Sequence, residues 1–97
     1  MNRNEPKPLK AAIEQFVKAY RMQNRLDEVD TVNAWNACFG KMVQRQTRSI
    51  RLQAKGKLWV KLNSGPLKEE LMMSKGKMVE RLNEHLGRKI ISEVIIQ

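Results

Sequence analysis

The chain has 97 residues, a single cysteine and a formal net charge of +9, from 19 Lys and Arg against 10 Asp and Glu. That length makes one domain able to bury roughly 60–65% of its unfolded surface, and a lone cysteine rules out an intramolecular disulfide and suits a reducing compartment, most simply the cytoplasm. No apolar run approaches the roughly 18 residues of a membrane span, and the opening MNRNEPKPLK has no apolar signal region, so a soluble protein is expected.

Residues 1–7 are polar with a proline and are expected to form a flexible arm ahead of a single domain over 8–97. Pro8 can open a helix, because its missing N–H would be unpaired there anyway. Leu9, Ala12, Ile13, Phe16, Val17 and Tyr20 recur at spacings of three and four. This predicts a first helix over 8–22 with one apolar stripe turned to the core. Residues 23–27, QNRLD, read as a polar connection, with Asp27 or Asp30 capping a second helix over 28–44. The stripe of that helix is Val29, Val32, Trp35, Phe39, Met42 and Val43. Trp35 reads as a core anchor on it, and Cys38 as an inert thiol. Gly40 costs roughly 1 kcal/mol relative to alanine inside a helix, so it predicts either close packing or a break.

Residues 47–64, TRSIRLQAKGKLWVKLNS, predict a β-hairpin with two unlike faces. Ile50, Leu52 and Ala54 alternate with Arg51, Gln53 and Lys55; after a turn at Lys55-Gly56, Leu58, Val60 and Leu62 alternate with Lys57, Trp59 and Lys61. Successive strand side chains point to opposite faces, so one face is aliphatic and the other cationic with a tryptophan in its middle. Ser64 then reads as an N-cap, with Pro66 in the first turn of a third helix. Its stripe is Leu67, Leu71, Met78, Leu82 and Leu86, widened by Met72 and Val79, and Gly87 stops the helix. The closing KIISEVIIQ reads as a final strand. The expected order is α-α-β-β-α-β: an α+β two-layer sandwich whose helices cover one face of a three-stranded sheet. In it, Leu67, Leu71, Met78 and Leu82 should pack against Ile13, Phe16, Trp35 and the aliphatic face of the hairpin.

The acids cluster at the two ends of the chain. None lies between Thr31 and Lys68, a window that holds Lys41, Arg45, Arg48, Arg51, Lys55, Lys57 and Lys61. A one-sided positive field favours a polyanionic partner, although such charge also serves simply to solubilise. Cations alternating with an aromatic ring on an open sheet can follow phosphates while a base stacks on the ring. Arg48, Arg51, Lys55, Lys57, Trp59 and Lys61 are therefore the candidate nucleic-acid-binding residues, with Trp59 alternatively packed under a chain end or across a dimer interface. No P-loop, dinucleotide fingerprint or nucleophile elbow appears. No acid/base pair stands out, so the expectation is a non-enzymatic protein without a cofactor.

From Trp35 onward the chain resembles the DciA family of bacterial replicative-helicase operators and loaders. The landmarks are Trp35 with Gly40, Thr47, the hairpin LWVKLNS over 58–64, Leu67, Glu70, Leu71, and RLNEHLG over 81–87 followed by an apolar strand. The resemblance implies a KH-like domain that binds DNA and the replicative hexameric helicase, promotes helicase loading on single-stranded DNA and has no enzymatic activity. Binding of RNA by a KH-like module, or protein–protein adaptation without nucleic acid, are the other readings. A KH clamp uses a G-x-x-G loop between two helices; here Ser74-Lys75-Gly76-Lys77 lacks the first glycine and sits inside a continuous helical pattern. One cysteine and one histidine, Cys38 and His85, cannot supply the four ligands of a structural zinc. A chelator should therefore leave the melting curve unaltered; stoichiometric zinc whose removal unfolds the chain would contradict this.

Overall fold

Helix α1 spans Leu9–Gln46 in the computed structural model, which describes residues 8–97. The arm expected over 1–7 lies outside those residues. The connection expected over 23–27 is instead helical, so two expected helices are one. QNRLD contains no Gly or Pro, and Gln23, Asn24 and Asp27 all make side-chain hydrogen bonds. Gln23 Nε2 donates to Asp27 Oδ1 one turn on, at 3.1 Å, and Arg88 Nη2 reaches the same oxygen at 3.1 Å. Asn24 Nδ2 donates to the Leu52 carbonyl at 3.1 Å, and Glu28 Oε2 accepts from the Leu52 N–H at 2.8 Å. Asn24 and Glu28 are one helical turn apart on a single face, so both reach the strand at one residue. The interruption comes at Gly40, with φ 85° and ψ 173°. Nothing lies within 4 Å of where its Cβ would stand, so this glycine provides a backbone bend rather than close packing.

Strand β1 (Thr47–Gln53), a 3₁₀ turn over Ala54–Gly56 and β2 (Lys57–Leu62) form the predicted hairpin. Residues Lys55 and Gly56 both have positive φ. Helix α2 (Gly65–Met72) follows, capped by Ser64, whose Oγ accepts from the Leu67 N–H at 3.2 Å. Helix α3 (Lys75–Leu86) ends at Gly87 in the left-handed region, and β3 spans Glu93–Ile96. The order is therefore α-β-β-α-α-β and not α-α-β-β-α-β. The expected single helix after the hairpin divides at Met73-Ser74 because its stripe has no apolar residue at 74 or 75. The two pieces also meet different surfaces: α2 lies against β2 and β3, whereas α3 lies against α1 and β3.

The sheet is mixed, in the order β1-β2-β3, with β2 antiparallel to β1 and parallel to β3. Leu52, Leu58, Val60, Val94 and Ile96 are buried on one face together with Trp35, Ala34, Leu67, Met78 and Leu82 from the helices. Trp35 is fully buried; its Nε1 donates to Thr47 Oγ1 at 3.0 Å, and Phe39 meets its ring edge-on at 4.7 Å. The expected burial of Ile13 and Phe16 is overturned: both are exposed, Phe16 at 71%. The stretch from Leu9 to Phe39, ahead of the bend at Gly40, is about 46 Å long at about 1.5 Å per residue, well beyond the width of a small sheet, so its first turns extend past the body.

The entry into β3 is held by side-chain bonds. Asn83 Oδ1 accepts from the N–H groups of Ile90 and Ile91 at 3.0 and 2.8 Å, and its Nδ2 donates to the Ile91 carbonyl at 2.8 Å. The Ser92 N–H donates to the Gly56 carbonyl at 2.8 Å. A Cβ at Gly56 would stand 2.4 Å from the Ile90 oxygen and 2.8 Å from the Ser92 nitrogen, at a backbone φ of 74°. Gly56→Ala should therefore destabilise the protein by about 2–4 kcal/mol, lowering the melting temperature by roughly 10 °C or more. A melting curve that does not move would contradict this packing of the turn on the 88–92 segment.

Candidate nucleic-acid interface

The sheet face away from the helices is built by alternation. Because Leu58, Val60, Val94 and Ile96 point inward, Lys57, Trp59, Lys61, Glu93 and Ile95 point the other way. On β1, Ile50 and Leu52 face the core, and Ser49, Arg51 and Gln53 face outward. Pairing shifts between Thr47 and Ser49, so Arg48 is the extra residue of a bulge. The bulge lets Thr47 turn inward to Trp35 while Ser49 keeps the outward phase.

Register then sets rows across the strands. Arg51 pairs with Trp59, and Trp59 pairs with Ile95, so these three lie side by side with the tryptophan on the central strand. On one side of that row lie Gln53, Lys57 and Glu93; on the other, Ser49 pairs with Lys61. Arg51, Lys57 and Lys61 are exposed and Trp59 is partly so. The indole Nε1 is buried and meets no hydrogen-bond partner. Since that nitrogen is the only polar side-chain atom of tryptophan, the part of Trp59 open to solvent is carbon.

Four of the six candidate residues, Arg51, Lys57, Trp59 and Lys61, therefore share one face. Lys55 sits apart at the hairpin turn, where it borders a groove with Asn83, Arg88 and Ile90. Arg48 sits at the opposite end of β1, beside Val32, Asn36 and Gln44 of α1. Among the described residues, the ion pairs are those of Arg88 with Asp27 at 3.1 Å and Asp30 at 3.7 Å, so the cations of the open face carry none. Two members of this face were missed in the linear reading. The acid-free window ends well before Glu93, yet the parallel pairing sets Glu93 beside Lys57. Ile95 lies next to Trp59 because Val94 and Ile96 take the inward phase; the alternation within EVII carries that signal, but only once the strand's partner is known.

Residues 8–96 match the protein-family model described as Dna[CI] antecedent, DciA. The chain belongs to the DciA family. No curated protein and no solved structure matches it. Membership of DciA implies a helicase-loader-associated function in DNA replication and interaction with the replicative helicase; DciA is a loader and adaptor family and not a known enzyme family. Of the landmarks that carried the resemblance, Trp35 is the buried anchor under β1, and Asn83 of RLNEHLG is the clamp on the β3 entry. Among the described residues of this DciA-family chain, no helix is long and apolar enough to cross a membrane.

The two tryptophans should behave oppositely in a melting experiment. Trp35→Ala should cost about 3–5 kcal/mol, as expected for a buried aromatic. Trp59→Ala, on the uncovered face, should cost under about 2 kcal/mol. Equal losses would mean that Trp59 belongs to the core.

Proposed function

We propose that this chain is a non-enzymatic, KH-like domain that holds single-stranded DNA on its open sheet face and contacts the replicative hexameric helicase, assisting helicase loading. The observation that carries the reading is the row Arg51–Trp59–Ile95 on a face no helix covers, with Lys57 and Lys61 flanking Trp59 along the central strand. Cations there can follow phosphates while a base stacks on exposed indole carbon, which every base can do regardless of sequence. The order α-β-β-α-α-β supports the KH-like part of the reading. Helices α2 and α3 meet at Met73-Ser74, where a KH clamp carries its loop; Ser74-Lys75-Gly76-Lys77 lies at that place with Gly76 as its single glycine, and neither end of the four is the glycine of a G-x-x-G. The helicase contact and the choice of DNA over RNA are supported by the family's association with replication.

Binding should be sequence-tolerant and salt-sensitive. Three cations on the face, at about 0.7 per phosphate contact, give a slope of log K against log salt near −2.1 and a loss of about 20-fold between 50 and 200 mM salt. Stacking on Trp59 adds about 1–3 kcal/mol, or roughly 5- to 150-fold, with little salt dependence. Trp59→Ala should thus weaken binding to single strands at every salt concentration and leave the slope in place, whereas Arg51→Ala or Lys61→Ala should each flatten it by roughly 0.7. Fluorescence anisotropy with labelled DNA and RNA oligomers measures both. Charge variants that matter while Trp59→Ala does not would reduce the face to an electrostatic patch. Tighter binding to RNA would favour the RNA module. No binding by the wild-type chain, with helicase still captured after nuclease treatment, would leave the protein adaptor.

A further inference from the structure

From Leu9 to Gln23 no side chain of α1 is buried; Asn24, bonded to Leu52, marks where the helix joins the sheet. This overhang gives the molecule principal extents of 65 × 24 × 20 Å and a radius of gyration of 17.8 Å, against roughly 13 Å for a compact chain of this size. An unsupported helix of about 15 residues is marginal in water, and helices in proteins owe most of their stability to a buried apolar face. Here that face is present but uncovered: Leu9, Ile13, Phe16 and Tyr20 are 75%, 53%, 71% and 51% exposed. Their spacing of four, three and four is that of a helix-pairing seam. With Val17 they leave on the order of 600 Å² of largely apolar surface open, the upper limit for a patch on a monomer and close to the roughly 800 Å² per partner of a specific interface.

We infer that this stripe pairs with the same stripe of a second copy, forming an antiparallel helical dimer. The stripe is complementary to its own reverse. Run antiparallel, Leu9 meets Tyr20 of the second copy and Ile13 meets Phe16, so each of four layers joins one aliphatic to one aromatic side chain. Ala12 and Ala19 flank the seam on one side and let the helices approach closely. Val17 and the methylene stem of Lys10 flank it on the other. Four layers use the whole overhang: Leu9 of the second copy reaches Tyr20, one turn before the sheet begins at Asn24. A parallel pair would set two chains of +9 side by side, whereas the antiparallel pair holds their bodies at opposite ends. A two-fold axis makes such an interface isologous, which is why self-match in reverse selects a second copy as the occupant. The inference is independent of the open-face reading.

Sedimentation or light scattering of the full chain, from about 1 to 100 µM, tests it. The mass should rise to that of a dimer, and Phe16→Asp should weaken association at least about 100-fold, because symmetry removes the ring twice. Phe16 lies in solvent in the single chain, so the near-ultraviolet signal of buried Trp35 should persist in the variant. Lys18→Ala, on the far side of the helix, should leave the mass unchanged. Spin labels at exposed Asn33 (Asn33→Cys in a Cys38→Ser background) should lie roughly 55 Å apart in an antiparallel pair, from about 1.5 Å per residue, and within about 20 Å in a parallel one. A wild-type monomer at the highest concentration overturns the inference. So does a dimer that survives Phe16→Asp, a short label distance, or a monomeric chain whose helicase binding is lost in Phe16→Asp, which would assign the stripe to the helicase.

Discussion

Three hydrogen bonds from one side chain decide how the sheet is completed. Asn83, in the last turns of α3, takes the N–H groups of Ile90 and Ile91 on its carbonyl oxygen and gives its amide to the Ile91 carbonyl. These bonds fix the direction in which the chain leaves Gly87 and lay Glu93–Ile96 parallel to β2. Gly56 completes the junction by allowing the backbone at Ser92 to approach without a side chain in the way. If β3 were not delivered there, β2 would be an edge strand and Trp59 would stand at a rim instead of between Arg51 and Ile95. The open face thus depends on a contact on the far side of the sheet from it.

The other edge is managed by α1. Leu52 on β1 presents an N–H and a carbonyl that no strand takes; Glu28 accepts the first and Asn24 donates to the second. A helix placed along an edge strand with one acceptor and one donor at the right spacing prevents further strand pairing there. The same contacts orient the helix so that Thr31, Ala34 and Trp35 face the core. Edge protection and core packing are therefore two consequences of one helix position.

The hairpin, its inward and outward faces, the cap at Ser64 and the stop at Gly87 were legible in the sequence, because alternation and capping are local rules. The continuity of α1 was not. QNRLD is polar in part for a tertiary reason, since Asn24 serves Leu52 and Asp27 serves Arg88, and polarity of that origin is indistinguishable by composition from that of a loop. The division of α2 from α3 was hidden for the opposite reason: Leu71 and Met78 keep helical phase across it, and only the gap in the stripe at 74–75 hints at two helices facing different neighbours. Four of the six candidate residues lie on the open face. Lys55 stands at a turn with two positive φ angles and Arg48 is the extra residue of a bulge, so neither keeps the outward phase of its strand.

The parallel pairing of β2 with β3 also bears on the order in which the molecule assembles. Leu58 meets Val94 and Val60 meets Ile96, each across 36 positions of chain, while the β1–β2 hairpin closes over a few. Closing the longer loop costs more chain entropy, and non-local pairings of this kind slow folding. The central strand acquires its second neighbour only when that crossover has closed, so a nascent or truncated chain lacking Glu93–Ile96 would expose the β2 edge to other chains. Pairing of Glu93–Ile96 thus acts as a completion step that separates a finished sheet from one prone to aggregate.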